Sequence, residues 1–144
     1  MPKQMGVAFG ATEHYPYLSV ASTSTHDMST LREWWQEDRA MTQRYWSEVL
    51  SLEGEAEQVC SPATARLIVE RHMRSGSILA ILPLQDWLAV DEELRRHDFA
   101  AERINVPANA NHYWRYRMHL NIEELIDADG FNANLSEIIS LRKG

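Results

Sequence analysis

Residues 17–35, YLSVASTSTHDMSTLREWW, decide the predicted fold of this chain. The first half is rich in β-branched and small residues such as Val20, and it predicts a short buried strand. Over residues 29–50 apolar side chains recur at roughly helical spacing, which predicts one long helix. Two ionisable residues, His26 and Asp27, therefore lie where the strand gives way to the helix.

Spacing alone leaves two interpretations of Asp27 open. Catalytic residues collect at the carboxyl ends of strands in α/β folds, because the strand holds them rigidly beside a solvent-facing loop. An Asp at a strand-to-helix turn can equally cap the following helix through its carboxylate. Without further information the cap is the more frequent role.

A second strand–helix pattern follows. Ser61 and Pro62 suit an N-cap and a first helical position, and they predict a helix that runs to about Met73 and ends at residues 75–76. Residues 77–83, SILAILP, form a continuous apolar run, which is typical of a strand covered on both faces. The order strand, helices, strand predicts a parallel crossover and not a hairpin.

The last forty residues predict a loop followed by two helices. Residues 105–111 contain Pro107 and three Asn, which favours a structured loop. Asn121 is suited to cap a helix over residues 122–126. We expect a turn at residues 129–130 and a last helix over about residues 134–141.

Composition excludes several classes of function. The 144 residues carry a net charge of −7, which argues against nucleic-acid binding and against an anionic membrane surface. A single cysteine, Cys60, excludes an internal disulfide bond and fits a reducing compartment. No run approaches about 18 apolar residues, and the amino terminus lacks the apolar core of a signal peptide. We therefore expect a cytoplasmic protein.

Four motifs in order give the chain a specific resemblance. They are Thr25-His26-Asp27 with Ser29-Thr30-Leu31-Arg32 and Trp34-Trp35, then Pro83-Leu84-Gln85-Asp86, Arg103-Ile104-Asn105-Val106-Pro107, and Trp114-Arg115-Tyr116-Arg117. Together they resemble the 4-α-glucanotransferases, the amylomaltase or disproportionating-enzyme family (glycoside hydrolase family 77). The resemblance runs through most of this chain, but it covers only the C-terminal part of that family's sequence.

The resemblance implies an α/β fold with a defined place in a larger barrel. Residues 1–144 would be a single segment, the last two βα units and C-terminal helices of a (β/α)8 TIM-type catalytic barrel. Such a barrel needs about 250 residues, so we expect the segment to be incomplete and to require the remainder of the barrel as its partner. The family's nucleophilic Asp and acid/base Glu lie on earlier strands, so the segment alone would be inactive.

The activity implied by the resemblance is transfer of α-1,4-glucan segments between oligosaccharides by a retaining mechanism. Two carboxyl groups carry out this chemistry, and no metal or organic cofactor is implied. By resemblance Asp27 would be the carboxylate that stabilises the transition state, and His26 would hydrogen-bond the same sugar. Asn105 would contact the glucan chain, although an Asn in this loop could also serve only the turn.

The remaining residues of the motifs have mostly structural interpretations. Gln85 and Asp86 follow the second strand and are expected to hold the neighbouring loop more than to line the site. Arg115 and Arg117 are expected to form ion pairs that fix the C-terminal loop. Three tryptophans on predicted helices are expected to pack in the core and not against sugar: Trp34, Trp46 and Trp87.

Two other functions stay open, and two positions depart from the family. The chain could be a non-catalytic fragment that pairs through an exposed sheet edge. Two His-Asp dipeptides, at residues 26–27 and 97–98, could indicate an HD-type metal phosphohydrolase, but the first follows a strand and not a helix. Glu33 and Ala108 stand where the family usually has Gly.

Overall fold

The computed structural model describes residues 7–142, which form an α/β fold with little sheet. Two short strands are separated by three helices, and three further helices follow. In chain order the elements are β1 (Val20–Ala21), α1 (Leu31–Glu37), α2 (Arg39–Arg44), a π-helical turn (Tyr45–Val49), α3 (Pro62–Met73), β2 (Leu79–Ala80), α4 (Leu84–Leu88), α5 (Ile122–Ile126) and α6 (Asp129–Ser140), with 3₁₀ turns at Thr12–His14 and Phe99–Glu102.

The two strands pair in parallel, which confirms the predicted crossover. Val20 lies opposite Leu79, and Ala21 lies opposite Ala80. Both strands are much shorter than the apolar runs that predicted them. Parallel neighbours require a connection long enough to return the chain to the same end of the sheet, and α1 to α3 supply it.

Within this chain the second strand is covered on one face only, and not on both as its apolar run predicted. Successive side chains of a strand point to opposite faces. Ala21 is fully buried and Ala80 packs against the hydrophobic core, whereas Val20 and Leu79 on the other face are half exposed (49% and 51%). Among the described residues, helices therefore cover one face of the sheet and leave the other bare.

The single helix predicted over residues 29–50 is wrong, because the chain breaks at Asp38. Asp38 has extended backbone angles, and its carboxylate accepts a hydrogen bond from the backbone N–H of Met41. An aspartate in this position caps a new helix, so α1 ends at Glu37 and α2 starts at Arg39.

Helix α3 confirms the prediction at both ends. It spans Pro62–Met73, and the Ser61 hydroxyl accepts a hydrogen bond from the backbone N–H of Thr64. One face is buried and packs against α6, and the core gathers around it. The largest fully buried side chains are those of Trp35, Leu88, Ile138, Val69, Thr42, Asp86 and Cys60.

The C-terminal helices are partly as predicted. Residues 105–111 form an irregular loop, and α5 spans the predicted residues 122–126, with the Glu124 carboxylate accepting from the Asn121 backbone N–H. The turn expected at residues 129–130 is wrong, because α6 begins at Asp129. An acidic residue in the first turn favours a helix start through the helix dipole.

Within residues 7–142 no helix has the length and apolar character needed to cross a membrane. The prediction about a signal peptide falls partly on residues 1–6, outside the described range.

Candidate active site

The loop after β1 brings three of the predicted site residues together. The Asn105 side-chain amide donates a hydrogen bond to the Asp27 carboxylate (Nδ2 to Oδ1, 2.6 Å). The other Asp27 oxygen lies 3.4 Å from His26 Nε2, and both side chains are about half exposed (54% for His26 and 51% for Asp27). Residues 78 positions apart thus form one polar cluster at the carboxyl end of the strand.

Asp27 does not cap α1, although spacing alone favoured that role. The N-cap position of α1 is Thr30, and the first backbone N–H of the helix, that of Leu31, donates to Asp86 instead (2.8 Å). The Asp27 carboxylate therefore faces solvent with one oxygen held by an amide. Such a group can accept hydrogen bonds from sugar hydroxyls or oppose a positive charge that develops nearby.

Asp86 holds the loop that carries His26 and Asp27. Its buried carboxylate accepts hydrogen bonds from the hydroxyls of Thr23 and Ser24, the latter at 2.8 Å, as well as from Leu31. Three donors compensate for the loss of water around a charge that is 1% exposed. The structure thus gives Asp86 the structural role expected for it, and it joins β1, α1 and α4.

A second set of contacts fixes Asn105. Its backbone N–H donates to the His26 carbonyl (3.1 Å), and its carbonyl accepts from Arg103 Nε (3.1 Å). Arg103 also donates to the Ser29 hydroxyl and to the Glu33 carboxylate on α1, at 2.9 and 3.1 Å. Glu33, which departs from the family pattern, is therefore an ion-pair partner and not an exposed surface charge.

A buried ion pair joins α1 to the 3₁₀ turn at Phe99–Glu102. Arg32 donates to Glu102 at 2.7 Å, and both side chains are at most 5% exposed. The Gln85 amide donates to the Glu102 carbonyl, and so has a structural role here. Burial raises the pKa of the Glu102 carboxyl to about 6, although the Arg32 guanidinium opposes that rise.

Comparisons with known proteins identify the family. The family profile described as 4-alpha-glucanotransferase matches residues 1–122. The chain belongs to the 4-alpha-glucanotransferase family. This is the family that the four sequence motifs indicated, and its enzymes are TIM barrels.

The similar relatives are much longer than this chain. The 4-alpha-glucanotransferase DPE2 of rice (Oryza sativa subsp. japonica) is 36% identical over 97% of this chain, which spans 15% of that protein. A 4-alpha-glucanotransferase of Chlamydia caviae is 32% identical over 88% of the chain and 23% of its own length. The chloroplastic/amyloplastic 4-alpha-glucanotransferase of potato (Solanum tuberosum) is 29% identical, over 77% of the chain and 18% of its own length.

The two arginines of the last motif, residues 114–117, do not make the contacts that we expected. Within residues 7–142, the predicted ion pairs of Arg115 and Arg117 are absent. Arg115 instead lies over the ring of Tyr113, 5.2 Å from its centroid, and the Arg117 carbonyl accepts from Arg96. Both residues are exposed, and an ion pair at such a position would add little stability.

Sequence reasoning missed two residues of this cluster. Trp114 places its ring 5.1 Å from the His26 ring, and Arg103 ties Asn105 to α1. Both belong to the recognised motifs, but the contacts of Trp114 with His26 and of Arg103 with Glu33 join residues at least 70 positions apart. Trp34, Trp46 and Trp87 pack against the core as predicted.

A large cavity lies beside this cluster and not on it. Its volume is about 1210 Å³, and none of His26, Asp27 or Asn105 lines it. Apolar side chains such as those of Phe9 and Trp34 form much of its wall. This lining suits packing against protein more than binding of a hydroxyl-rich sugar.

The carboxylates of the two His-Asp dipeptides have other partners. Within residues 7–142, no three His, Cys, Asp or Glu side chains come close enough together to hold a metal ion. The second His-Asp dipeptide has another use, because Asp98 caps the 3₁₀ turn through the backbone N–H of Ala100.

Proposed function

We propose that this chain contributes Asp27 to the active site of a 4-α-glucanotransferase, which transfers α-1,4-glucan segments between oligosaccharides with retention of configuration. The observation that carries the proposal is the Asp27 carboxylate. It is half exposed at the carboxyl end of β1, and the Asn105 amide holds one of its oxygens at 2.6 Å. Strand ends of this kind are where TIM-barrel enzymes place their catalytic residues.

In this proposal Asp27 stabilises the transition state and does not form the covalent intermediate. A carboxylate accepts two strong hydrogen bonds from neighbouring sugar hydroxyls, and its charge opposes the positive charge of an oxocarbenium-like centre. His26 is placed to bind the same sugar, and Asn105 orients Asp27 and offers a second donor to the glucan. The nucleophile and the acid/base carboxyl come from other strands of the barrel.

The sheet supports a place within a larger barrel. One face of β1 and β2 is covered by helices, while Val20, Leu79 and Ile81 are 49%, 51% and 59% exposed. In a closed barrel this second face points to the interior, where side chains from the other strands fill the space. We propose that residues 1–144 form the last two βα units and C-terminal helices of such a barrel, with its remainder as the partner.

The same bare face is also what an interaction fragment without catalysis would show. Membership of the 4-alpha-glucanotransferase family and the Asp27–Asn105 geometry do not favour that alternative. We also propose a cytoplasmic location, because the one cysteine, Cys60, is a buried free thiol and not part of a disulfide bond.

The test is Asp27→Asn in the full-length protein, assayed for transfer between maltooligosaccharides. We expect turnover to fall by about 100-fold or more, as when a transition-state contact is removed, with little change in thermal stability. Asp127→Asn is the matched control, because Asp127 is exposed and makes the same charge change at the end of α5. Wild-type turnover in Asp27→Asn would refute the proposed function.

A further inference from the structure

We propose that Trp114 is a stacking platform for one glucose ring of the glucan, next to the sugar that Asp27 contacts. This inference rests on the proposed function and adds a residue to which the sequence motifs assigned no role in binding. Its basis is the juxtaposition of an exposed indole with the His26–Asp27–Asn105 cluster.

Exposure separates Trp114 from the other tryptophans. Trp35 is fully buried, and Trp34, Trp46 and Trp87 are partly buried against the core. Trp114, by contrast, is 61% exposed. A lone exposed apolar residue is common on protein surfaces. Trp114, however, contacts a polar cluster, and ligand sites combine such polar groups with an apolar surface.

The position of the indole is fixed by the site itself. Its ring centroid lies 5.1 Å from that of His26, at an interplanar angle of 46°. His26 is in turn bonded through its carbonyl to the Asn105 backbone and lies 3.4 Å from Asp27. A sugar that reaches Asp27 therefore lies within the span of one or two glucose units from Trp114.

The segment that carries Trp114 is anchored on both sides. Before it, a ring nitrogen of His112 makes a hydrogen bond of 2.9 Å with the Ile104 carbonyl. After it, the Arg117 carbonyl accepts from Arg96 at 3.1 Å. The platform is thus held in place before substrate arrives, which limits the conformational entropy lost on binding.

An α-1,4-glucan is the class of ligand that suits this pair of surfaces. Each glucose ring has hydroxyls at its edge and C–H groups on its faces. Asp27, His26 and Asn105 offer hydrogen-bonding groups for the edge, and the indole offers an apolar plane for a face. An aromatic contact of this kind is worth roughly tenfold in affinity.

The experiment measures binding separately from turnover. Because Asp27→Asn is expected to turn over slowly, its equilibrium dissociation constant for a maltooligosaccharide can be measured by calorimetry with and without Trp114→Ala. We expect Trp114→Ala to weaken binding about tenfold and Trp114→Phe to restore most of that loss. With Asp27 intact, the same change should raise KM more than it lowers kcat.

Tyr113→Ala is the matched control. Tyr113 is the neighbouring exposed aromatic residue (70% exposed) and already lies under Arg115. Three results would overturn the proposed stacking role of Trp114. These are unchanged affinity in Trp114→Ala, equal losses of affinity in Tyr113→Ala and Trp114→Ala, or no recovery of affinity in Trp114→Phe. If Asp27→Asn lowers turnover while Trp114→Ala binds normally, only the platform fails. Wild-type turnover in Asp27→Asn would instead refute the proposed function.

Discussion

At the scale of single residues, the contact between Asp27 and Asn105 organises the candidate site. The two side chains come from loops 78 positions apart, and the amide donates to the carboxylate at 2.6 Å. An amide at that distance donates to one carboxylate oxygen and so orients the Asp27 side chain. A second carboxylate there would instead force the pair to share a proton, because two like charges so close cannot both ionise at neutral pH.

Asn105→Asp tests this orientation with almost no change of shape. We expect turnover at pH 7 to fall by roughly tenfold or more, with part of the activity returning as the pH is lowered and the pair takes up a proton. The measurement is the pH profile of kcat. Asn109→Asp adds the same charge to an exposed position of the same loop, and its profile should match wild type. A normal profile in Asn105→Asp would contradict the contact.

Glu33→Gln tests whether the ion pair of Glu33 with Arg103 helps to hold Asn105 in place. Glu33→Gln removes the charge that Arg103 contacts at 3.1 Å, and Arg103 then loses part of its hold on α1. We expect the free energy of unfolding to fall by about 1 kcal/mol and KM to rise, because the Asn105 loop loosens. Glu48→Gln, an exposed pair with Arg44, is the control and should change neither quantity noticeably. An equal effect of the two substitutions would rule out a specific role of Glu33.

At the scale of elements, Asp86 replaces a conventional helix cap with a tertiary one. Its carboxylate, on α4, receives the first backbone N–H of α1 and the hydroxyls of the loop after β1. Asp86→Asn turns one acceptor into a donor that faces other donors. We therefore expect a loss of about 3 kcal/mol in the free energy of unfolding, measured by urea denaturation.

The control for Asp86→Asn is Asp91→Asn. The Asp91 carboxylate also accepts two backbone N–H groups, from Glu93 and Leu94, but one oxygen does so and an amide oxygen can replace it. This control should cost well under 1 kcal/mol. Equal losses in the two variants would show that Asp86 does not tie the three elements together.

How far the sequence predicts these elements depends on whether their determinants are local. Helix α3 was predicted correctly because Ser61 and Pro62 lie next to each other at its start. The break at Asp38 was missed because apolar spacing continues on both sides of it, although Asp is itself an N-cap signal. The contacts of Arg103, Trp114 and Asp86 join distant segments, and only the resemblance to a family hinted at their residues.

At the scale of the whole molecule, the buried Arg32–Glu102 pair should make stability depend on pH. Burial raises the pKa of the Glu102 carboxyl from about 4.5, its ordinary value, to about 6 in the folded protein. Between these values the folded state keeps a proton that the unfolded state has released. The stability that this extra bound proton gives the folded state is complete well below pH 4.5 and is lost as the pH rises through 6.

Glu102→Gln isolates that contribution. We expect the stability of wild type relative to this variant to fall by roughly 1–2 kcal/mol between pH 4.5 and pH 6.5, as measured by urea denaturation at each pH. Glu92→Gln is the control, because the Glu92 side chain is 69% exposed. Stability curves for wild type and Glu102→Gln that stay parallel over this range would contradict a raised pKa for Glu102.

We propose above that β1, β2 and their loops complete a glucanotransferase barrel with Asp27 at its active site. The most direct measurement is a crystal structure of the full-length protein with a maltooligosaccharide bound. We expect both Asp27 oxygens to lie within hydrogen-bond distance of adjacent hydroxyls of one glucose unit, and Val20 and Leu79 to be buried inside a closed barrel. A glucan bound far from Asp27, or a sheet face still open to solvent, would contradict this arrangement.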